Sequence, residues 1–326
     1  MPFHSSHRKP PNPKDRLGLA VLLMLASAAG FTLMGVAVRW SGDLPLVQKV
    51  FTRNAITVLL AALWVAGDRH GPLLSWQPHS WRLILRSLSG LLGVACYFYA
   101  LDRMPLADAS MLNKLSPFFV FLLAGTFLGE RLSRAMIVAL ITAFLGAVLV
   151  IKPRFEVTMI PALIGAASSV FAAIAYTLVR SLRGLEPPHR IVFWFSAFST
   201  LITLPLALHA WVSPSATQWR ALLGIGLGAS MGQFGLTYAY QLAPAAKISI
   251  VNYSGIVLAL LAGWLAWREW PDAWSLLGGL LILAAAVLSQ IQRSSPRPGS
   301  HLPLPVSPLP SRRRKGILEQ HLKRNP

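Results

Sequence analysis

Charged and polar residues interrupt otherwise apolar stretches at a few positions of the chain. Arg53 and Lys114 each lie inside such a stretch, Asn113 directly precedes Lys114, and Asn252 occupies a similar stretch much further along. A cation in an apolar environment costs on the order of several kcal/mol unless it is paired or hydrated. No Asp or Glu lies at a comparable position. Unpaired cations of this kind would favour a carboxylate, a phosphate or a zwitterion as ligand.

Each of these residues also has an ordinary structural interpretation. Arg53 and Lys114 could each extend the charge to a surface, as long basic side chains often do, Arg53 towards the outer surface beside Lys49. Asn113 and Asn252 could hydrogen-bond neighbouring helices, an interaction of about 0.6 kcal/mol. The sequence alone does not decide between a ligand-binding role and a structural role for these residues. Further hydroxyl and amide groups could line a binding cavity, and the candidates are Tyr97, Tyr176, Gln233 and Tyr253.

The apolar stretches around these residues are long enough to cross a membrane. Crossing a hydrocarbon core of roughly 30 Å takes about 20 apolar residues in a helix. The runs are too long for strands and lack their strict alternation. The sequence therefore predicts an all-α integral membrane protein with ten transmembrane helices, at 17–39, 46–66, 82–101, 106–128, 134–151, 159–180, 190–209, 219–241, 245–266 and 272–291.

The strong basic charge of the chain is distributed in a way that predicts membrane topology. The formal net charge is +19, a value that could suggest a nucleic-acid partner. With the N-terminus inside, however, roughly three times as many Lys and Arg residues fall on the inner side as on the outer side, with Arg82 and Arg86 on the inner side and Lys49 on the outer. We therefore expect a multi-pass protein of the cell inner membrane with both termini in the cytoplasm. We expect no nucleic-acid partner.

The second half of the chain repeats the first. One constant offset aligns Gly93 with Gly232, Tyr99 with Tyr238, Pro105 with Pro244, Asn113 with Asn252 and Glu130 with Glu269. Phe31 aligns with Phe171 when this offset is one residue longer, and Arg39 aligns with Arg180 when it is one residue longer again. Five spans in each half would give the halves opposite orientations. Inverted repeats place a binding site near the membrane midplane, where the halves meet.

This repeat divides the chain into five parts. We expect a disordered cytoplasmic tail at 1–16, a first five-helix repeat at 17–151, a linker at 152–158, a second five-helix repeat at 159–291, and a disordered basic cytoplasmic tail at 292–326. Both tails are rich in Pro, Arg and Ser and contain too few apolar residues to form a core.

Two local features concern helix geometry. Pro117 removes a backbone hydrogen bond near the middle of the fourth span, and we predict a hinge there. The equivalent residue of the ninth span is Ile256, which makes symmetric hinging doubtful. Gly224, Gly228 and Gly232 recur at four-residue spacing and predict a smooth face for close helix packing rather than a phosphate-binding loop.

Three segments of the chain are similar to a known transporter family. "YALDRMPLADASMLNKLSPFFVFLLAGTFLGERL", the later "FLGAVLVIKP" and "YAYQLAPAAKISIVNYSGIVLALLAGWLAWREW" resemble the two copies of the EamA family, within the drug/metabolite transporter superfamily. The resemblance implies ten helices in two inverted five-helix repeats and export or exchange of small metabolites. It also implies that the fifth and tenth spans support two moving bundles. Glu130 and Glu269, at the ends of the fourth and ninth spans, are expected to cap their helices or to pair locally with Arg131 or Arg268 rather than to carry protons.

The resulting functional prediction is a secondary transporter that uses no ATP. Its cargo would be a small polar metabolite, an amino acid or a related anion or zwitterion, exported or exchanged by alternating access. Two alternatives are an intramembrane lipid-modifying enzyme and an uptake permease for a nucleoside-type metabolite such as S-adenosylmethionine. No metal-ligand or nucleophile motif is present in the sequence, so we expect no enzyme activity and no cofactor. The expected partners are the metabolite and membrane lipid.

Overall fold

Long apolar helices make up the part of the chain that the structure, a computed structural model, describes. The described residues are 13–66, 76–127, 134–151, 159–182, 185–242 and 251–291. In the first half the helices are α1 (Pro13–Trp40), α2 (Leu46–Ala66), α3 (Ser80–Leu101), α4 (Leu106–Asn113), α5 (Ser116–Phe127) and α6 (Arg134–Ile151). In the second half they are α7 (Met159–Ser181), α8 (Pro188–His209), α9 (Ala216–Leu242), α10 (Ser254–Trp267) and α11 (Ala273–Ile291).

The outer surface of this bundle is apolar. Leu63, Phe144 and Leu201 are each more than 60 % exposed, as side chains that face lipid would be. Large exposed tryptophans lie near the helix ends, where a headgroup layer would surround them; they include Trp40, Trp64, Trp76, Trp81, Trp211, Trp219, Trp270 and Trp274. The chain is therefore an all-α, multi-pass membrane protein.

The number of spans is supported only in part. Among the described residues, five helices are both long and apolar enough to cross a membrane by themselves, namely α1, α2, α3, α7 and α8. Shorter apolar segments belong to α6, α10 and α11. The predicted fourth span consists of two helices, α4 and α5, so no single helix represents it. The count of ten stays a prediction.

The helices contact one another in a pattern that repeats when the two halves are exchanged. The first helix of the first half, α1, packs along α9, and the first helix of the second half, α7, packs along α3. These two contacts are equivalent under exchange of the repeats. Two further helices pack against their own counterparts, α2 against α8 and α6 against α11. This arrangement is the approximate two-fold symmetry expected of inverted repeats.

Glycines allow the equivalent helix pairs to approach closely. A Cβ atom added at Gly232 would lie 2.6 Å from the ring of Phe31, and one added at Gly93 would lie 3.3 Å from Cβ of Phe171. Both pairs are repeat-equivalent, so the same contact is made twice. At Gly228 an added Cβ would lie 2.7 Å from the carbonyl oxygen of Gly30. The predicted helix-packing role of these α9 glycines is confirmed.

The fourth span is interrupted just before Pro117. α4 ends at Asn113, and α5 begins at Ser116. Between them the Leu115 amide donates to the Leu112 carbonyl at 3.2 Å, a tighter turn than the α-helical one. Because proline has no amide hydrogen, the carbonyl of Asn113 loses its usual helical donor.

The ninth span is interrupted at the equivalent place, although it has no proline there. Residues 251–252 are helical, Tyr253 forms a turn, and α10 begins at Ser254. The Ile256 amide donates to the Tyr253 carbonyl at 2.9 Å. The ninth span is therefore interrupted like the fourth, although Ile256 stands where the fourth span has Pro117. Hinge motion at either break stays a prediction.

Ion pairs join the repeats at one end of the bundle. Nη2 of Arg39, at the end of α1, lies 2.7 Å from Oε1 of Glu269, and the same guanidinium lies over the ring of Trp267. The expectation that Glu269 pairs with Arg268 was wrong: Arg268 has a left-handed φ of 57° and its guanidinium lies over Trp264 instead. Glu130, residues 1–12 of the predicted N-terminal tail and the predicted C-terminal tail lie outside the described residues, whereas residues 13–16, which were expected to be disordered, belong to α1.

A buried ion pair lies near the same end, within the first repeat. Lys49 is fully buried, and its ammonium donates to both carboxylate oxygens of Asp102 at 2.8 and 2.9 Å. Burial raises the pKa of the Asp102 carboxyl, against the opposite effect of the neighbouring Lys49. Lys49 is therefore buried in an ion pair, and the outer side on which the sequence places it stays a prediction. At the opposite end of α3, Nε2 of His79 lies 2.8 Å from Oε1 of Glu186, which connects the repeats there as well.

Candidate functional site

A cavity lies between the two repeats and collects most of the predicted site residues. Seven of the eight predicted binding residues contribute to its wall: Arg53, Tyr97, Asn113, Lys114, Tyr176, Gln233 and Asn252. They come from α2, α3, α4, the break that follows α4, α7, α9 and the helical residues just before the break in the ninth span. Residues far apart in sequence therefore meet because the repeats pack across one another.

Two arginines lie side by side in one part of the wall. Arg53 of α2 is 2 % exposed and Arg86 of α3 is 3 % exposed, and their guanidinium carbons lie 5.2 and 4.0 Å from the ring centre of Phe195. Nη1 of Arg53 donates to the side-chain oxygen of Asn54 at 2.7 Å. Nε of Arg53 and both Nε and Nη1 of Arg86 have no hydrogen-bond partner among the described residues. Buried donors of this kind normally find an acceptor.

Lys114 projects from the break in the fourth span. Its Nζ donates to Oδ1 of Asn252 at 2.7 Å, which connects the two interrupted spans. A Cβ atom added at Gly255 would lie 3.4 Å from this Nζ, so the glycine leaves room for the ammonium. Asn113 turns to α7, where its amide donates to Oγ of Ser168 at 3.0 Å.

The remaining predicted residues differ in placement. The hydroxyl of Tyr97 lies 3.1 Å from Oγ of Ser110, and Tyr176 and Gln233 add a hydroxyl and an amide to the wall. Tyr253 is not part of the wall. It is 5 % exposed and packs in an apolar cluster with Met111, Phe118 and Ile282, a placement that gives its predicted binding role no support. Pro117 lies in α5, next to the break.

Arg86 is the cavity residue that the sequence analysis missed. It was assigned to the inner surface because it follows a loop closely, but α3 begins at Ser80 and places Arg86 almost two turns inside the helix. The spacing of four residues in the sequence does indicate the position of Arg86. Arg86, Gly90, Gly93 and Tyr97 recur at three- and four-residue spacing and so share one face, and all four line the cavity.

The wall is cationic and polar. Three basic side chains contribute to it, together with hydroxyls and amides, and no Asp or Glu is present in the lining that the structure describes. Because burial strengthens electrostatic interactions, such a wall can hold an anionic group and offers it several hydrogen-bond donors. The same part of the chain contains no group of His, Cys, Asp and Glu suited to a metal ion.

Similar proteins are transporters by name. The chain is 39 % identical to the "Pseudopaline exporter CntI" of Pseudomonas aeruginosa over 84 % of this chain and 96 % of that protein. It is 30 % identical to a "Riboflavin transporter" of Rhizobium johnstonii, over 84 % and 91 % respectively. A more distant relative, the "S-adenosylmethionine uptake transporter" of Rickettsia conorii, is 26 % identical over 61 % of this chain and 68 % of its own length.

A solved crystal structure shares the fold. It superimposes with a TM-score of 0.61 over 85 % of this chain and 99 % of its own, at 19 % identity, a likeness that concerns the fold alone. The model of the EamA-like transporter family matches twice, at residues 18–152 and 159–290. The alternative of a lipid-modifying enzyme is therefore wrong. With both repeats matched and relatives aligned over most of its length, the chain belongs to the EamA-like transporter family.

Proposed function

We propose that this transporter carries a small polar solute with at least one anionic group through the cavity between its repeats. The observation that carries the proposal is the convergence of Arg53, Arg86 and Lys114 on one cavity whose described wall contains no acidic side chain. Two buried guanidinium groups and a half-buried ammonium, with no acidic side chain in the described wall, destabilise an empty site. A bound anion would supply the missing charge, and the wall hydroxyls and amides would orient the rest of the solute.

The proposed membrane is the inner membrane of the cell, with both termini cytoplasmic. The excess of Lys and Arg residues on the inner side supports this orientation. The excess remains when the two buried residues, Arg86 and Lys49, are left out of the count. The loop after α1 and the loop before α11 would then lie outside. The ion pair of Arg39 with Glu269 would close the cavity at its outer end.

Alternating access would follow from the pseudo-symmetry of the bundle. The equivalent contacts of α1 with α9 and of α3 with α7 allow two arrangements that differ in which end is closed. The breaks at Pro117 and Tyr253 would permit the fourth and ninth spans to bend. α6 and α11, which pack against each other through Gly146 and Gly278, would form the outer support.

Export or exchange is the direction that we propose. The relative named as an exporter aligns with 39 % identity, whereas the relative named for uptake aligns at 26 % over a smaller share. The part of the wall that the structure describes contains no carboxylate, the usual carrier of coupling protons. Exchange of one anionic solute for another would need no such group, because the cargo itself would restore the charge of the site.

Counterflow in proteoliposomes tests this proposal. Vesicles that contain the purified protein would be loaded with a mixed panel of unlabelled amino acids and carboxylates, and entry of each labelled compound would be followed. We expect saturable entry of at least one anionic or zwitterionic compound, and a reduction of at least tenfold with Lys114→Ala. Entry confined to cations or neutral sugars, or no entry of any compound, would overturn the proposal.

A further inference from the structure

The three cations of the cavity form two separate groups. We define the guanidinium pole as Arg53, Arg86 and Phe195, and the amine pole as Lys114, Asn252 and Gly255. The first arises where α2, α3 and α8 meet, and the second arises from the breaks in the fourth and ninth spans. Among the described residues, the contacts of the two arginines and those of Lys114 have no residue in common. A solute with two anionic groups can therefore contact both poles at once.

Each pole has unused capacity to bind an anion. At the guanidinium pole, Nε of Arg53 and Nε and Nη1 of Arg86 have no hydrogen-bond partner among described residues, although both residues are at least 97 % buried. At the amine pole, Nζ of Lys114 has one neutral acceptor, the side chain of Asn252. An ammonium offers three donors, so further acceptors can bind there.

The geometry of each pole depends on a glycine. A Cβ atom added at Gly90 would lie 2.8 Å from the ring of Phe195 and 3.2 Å from Nη1 of Arg86. A Cβ atom added at Gly255 would lie 3.3 Å from Cε of Lys114. Both glycines therefore leave the space beside a cationic head unfilled.

We infer that the cavity recognises a solute with two separate carboxylate groups, one held by the guanidinium pole and the other by the amine pole. This inference rests on the proposed function and narrows its cargo class. A planar carboxylate matches the forked donors of arginine, and a second carboxylate accepts from the ammonium of Lys114. A solute with a single carboxylate leaves one buried pole without its counter-charge, so it binds more weakly. The separation of the poles then selects the length of the solute.

A series of diacids and their monoamides tests the inference. The full chain, purified in detergent, would be titrated with malonate, succinate, glutarate, adipate and pimelate, and with the monoamide of each, and binding measured by calorimetry. We expect one diacid length to bind best, and to bind at least tenfold more tightly than its own monoamide. Equal binding of diacids and monoamides, or no binding of any diacid, would overturn the inference.

Variants at each pole provide a second test of the inference. Arg86→Gln and Lys114→Gln should each reduce the affinity for the best diacid at least tenfold, to the level of the monoamide. Arg53→Gln is the alternative variant at the guanidinium pole if Arg86→Gln does not fold. Arg82→Gln is the matched control, because Arg82 lies on the same helix as Arg86 but donates to the Ser181 carbonyl outside the cavity; its affinity should equal that of the unaltered protein.

Transport separates failure of the inference from failure of the proposed function. If counterflow of a monocarboxylate or zwitterion proceeds while diacids bind no better than monoamides, the two-carboxylate inference fails and the proposed function stands. If no compound of the mixed panel is moved, the proposed function fails.

Discussion

Nζ of Lys114 donates a hydrogen bond of 2.7 Å to Oδ1 of Asn252, and the two residues belong to different repeats. The repeat alignment places Tyr253 at the position of Lys114 and the buried Ile225 at the position of Arg86. Two of the three cavity cations thus have uncharged counterparts. The backbone contacts of the bundle are symmetric, but the charge of the site is concentrated in the first repeat. A solute therefore meets a cationic first repeat in either arrangement of the helices.

The contact of Lys114 with Asn252 gives the first prediction. Asn252→Asp would place a carboxylate against the ammonium and supply the counter-charge that the cargo otherwise provides. We expect the affinity for an anionic cargo to fall at least tenfold in counterflow, while the midpoint of thermal unfolding stays the same or rises. Asn252→Gln retains a neutral acceptor and is the matched control. Unchanged transport by Asn252→Asp would show that Lys114 does not bind the cargo.

The second prediction concerns the packing of α1 against α9. A Cβ atom at Gly228 would lie 2.7 Å from the Gly30 carbonyl oxygen and 2.8 Å from the Met34 amide nitrogen, and backbone atoms cannot rotate away. We expect Gly228→Ala to destabilise the protein by about 1–3 kcal/mol, the usual range for overpacking. Thermal unfolding in detergent measures the change.

Gly18→Ala is the control for this prediction. Gly18 lies on α1, and an added Cβ there meets no atom within 4 Å. Because alanine has the higher helix propensity, by about 1 kcal/mol, Gly18→Ala should leave stability unchanged or slightly increase it. Equal effects of the two substitutions would contradict the close packing at Gly228.

The sequence indicated most of the fold because membrane helices have a strong and local signal. Continuous apolar length predicted the helices, and paired residues such as Gly93 and Gly232 predicted the inverted repeat. Polar residues inside apolar stretches, such as Lys114, predicted which side chains meet at the cavity. Each of these signals is contained in one segment of the sequence or in the comparison of two segments.

Contacts between distant segments could not be predicted in the same way. Glu269 has Arg268 beside it in sequence, but its partner is Arg39, because helix packing brings the end of α1 to the end of α10. Tyr253 has the right chemistry for a binding residue, but it packs in an apolar cluster and is not part of the described cavity wall. Arg86 lies inside the predicted span 82–101, but its place in the cavity wall depends on the packing of α3 against α2 and α8.

The buried pair of Lys49 and Asp102 gives the third prediction. Asp102→Asn would leave the fully buried ammonium of Lys49 with neutral acceptors alone, among them the carbonyl of Gly42, 2.8 Å away, and with no counter-charge in the described part of the chain. We expect a loss of about 3–5 kcal/mol, as for other buried pairs that lose one partner. The double substitution Lys49→Met with Asp102→Leu should recover most of this loss, because an apolar pair leaves no charge unpaired.

Thermal unfolding of the single and double variants measures this difference. Arg103→Gln is the control, because Arg103 directly follows Asp102 in the chain but its guanidinium lies over the ring of Tyr99 at the surface. This substitution should change stability little. A double variant as unstable as Asp102→Asn would show that the contact matters for its geometry rather than its charge.

The ion pair of Arg39 with Glu269 gives the fourth prediction. Arg39→Glu alone would place two carboxylates together at the end of α1 and α10, and we expect counterflow to fall at least fivefold because that end no longer closes. The charge-reversed pair, Arg39→Glu with Glu269→Arg, should regain at least half of the lost rate. If the double variant is no more active than Arg39→Glu, the contact does not act through opposite charge.

The final prediction concerns the orientation of the loops. In a Cys96→Ser background, which removes the sole cysteine, single cysteines would replace Asp43 after α1, Leu185 before α8 and Trp270 before α11, all three exposed. Since successive helices reverse direction, a membrane-impermeant thiol reagent added outside intact cells should label the cysteines at 43 and 270. The cysteine at 185 should react only after the membrane is opened. Labelling of all three positions from the same side would contradict the inverted arrangement of the two repeats, and with it the cavity that lies between them.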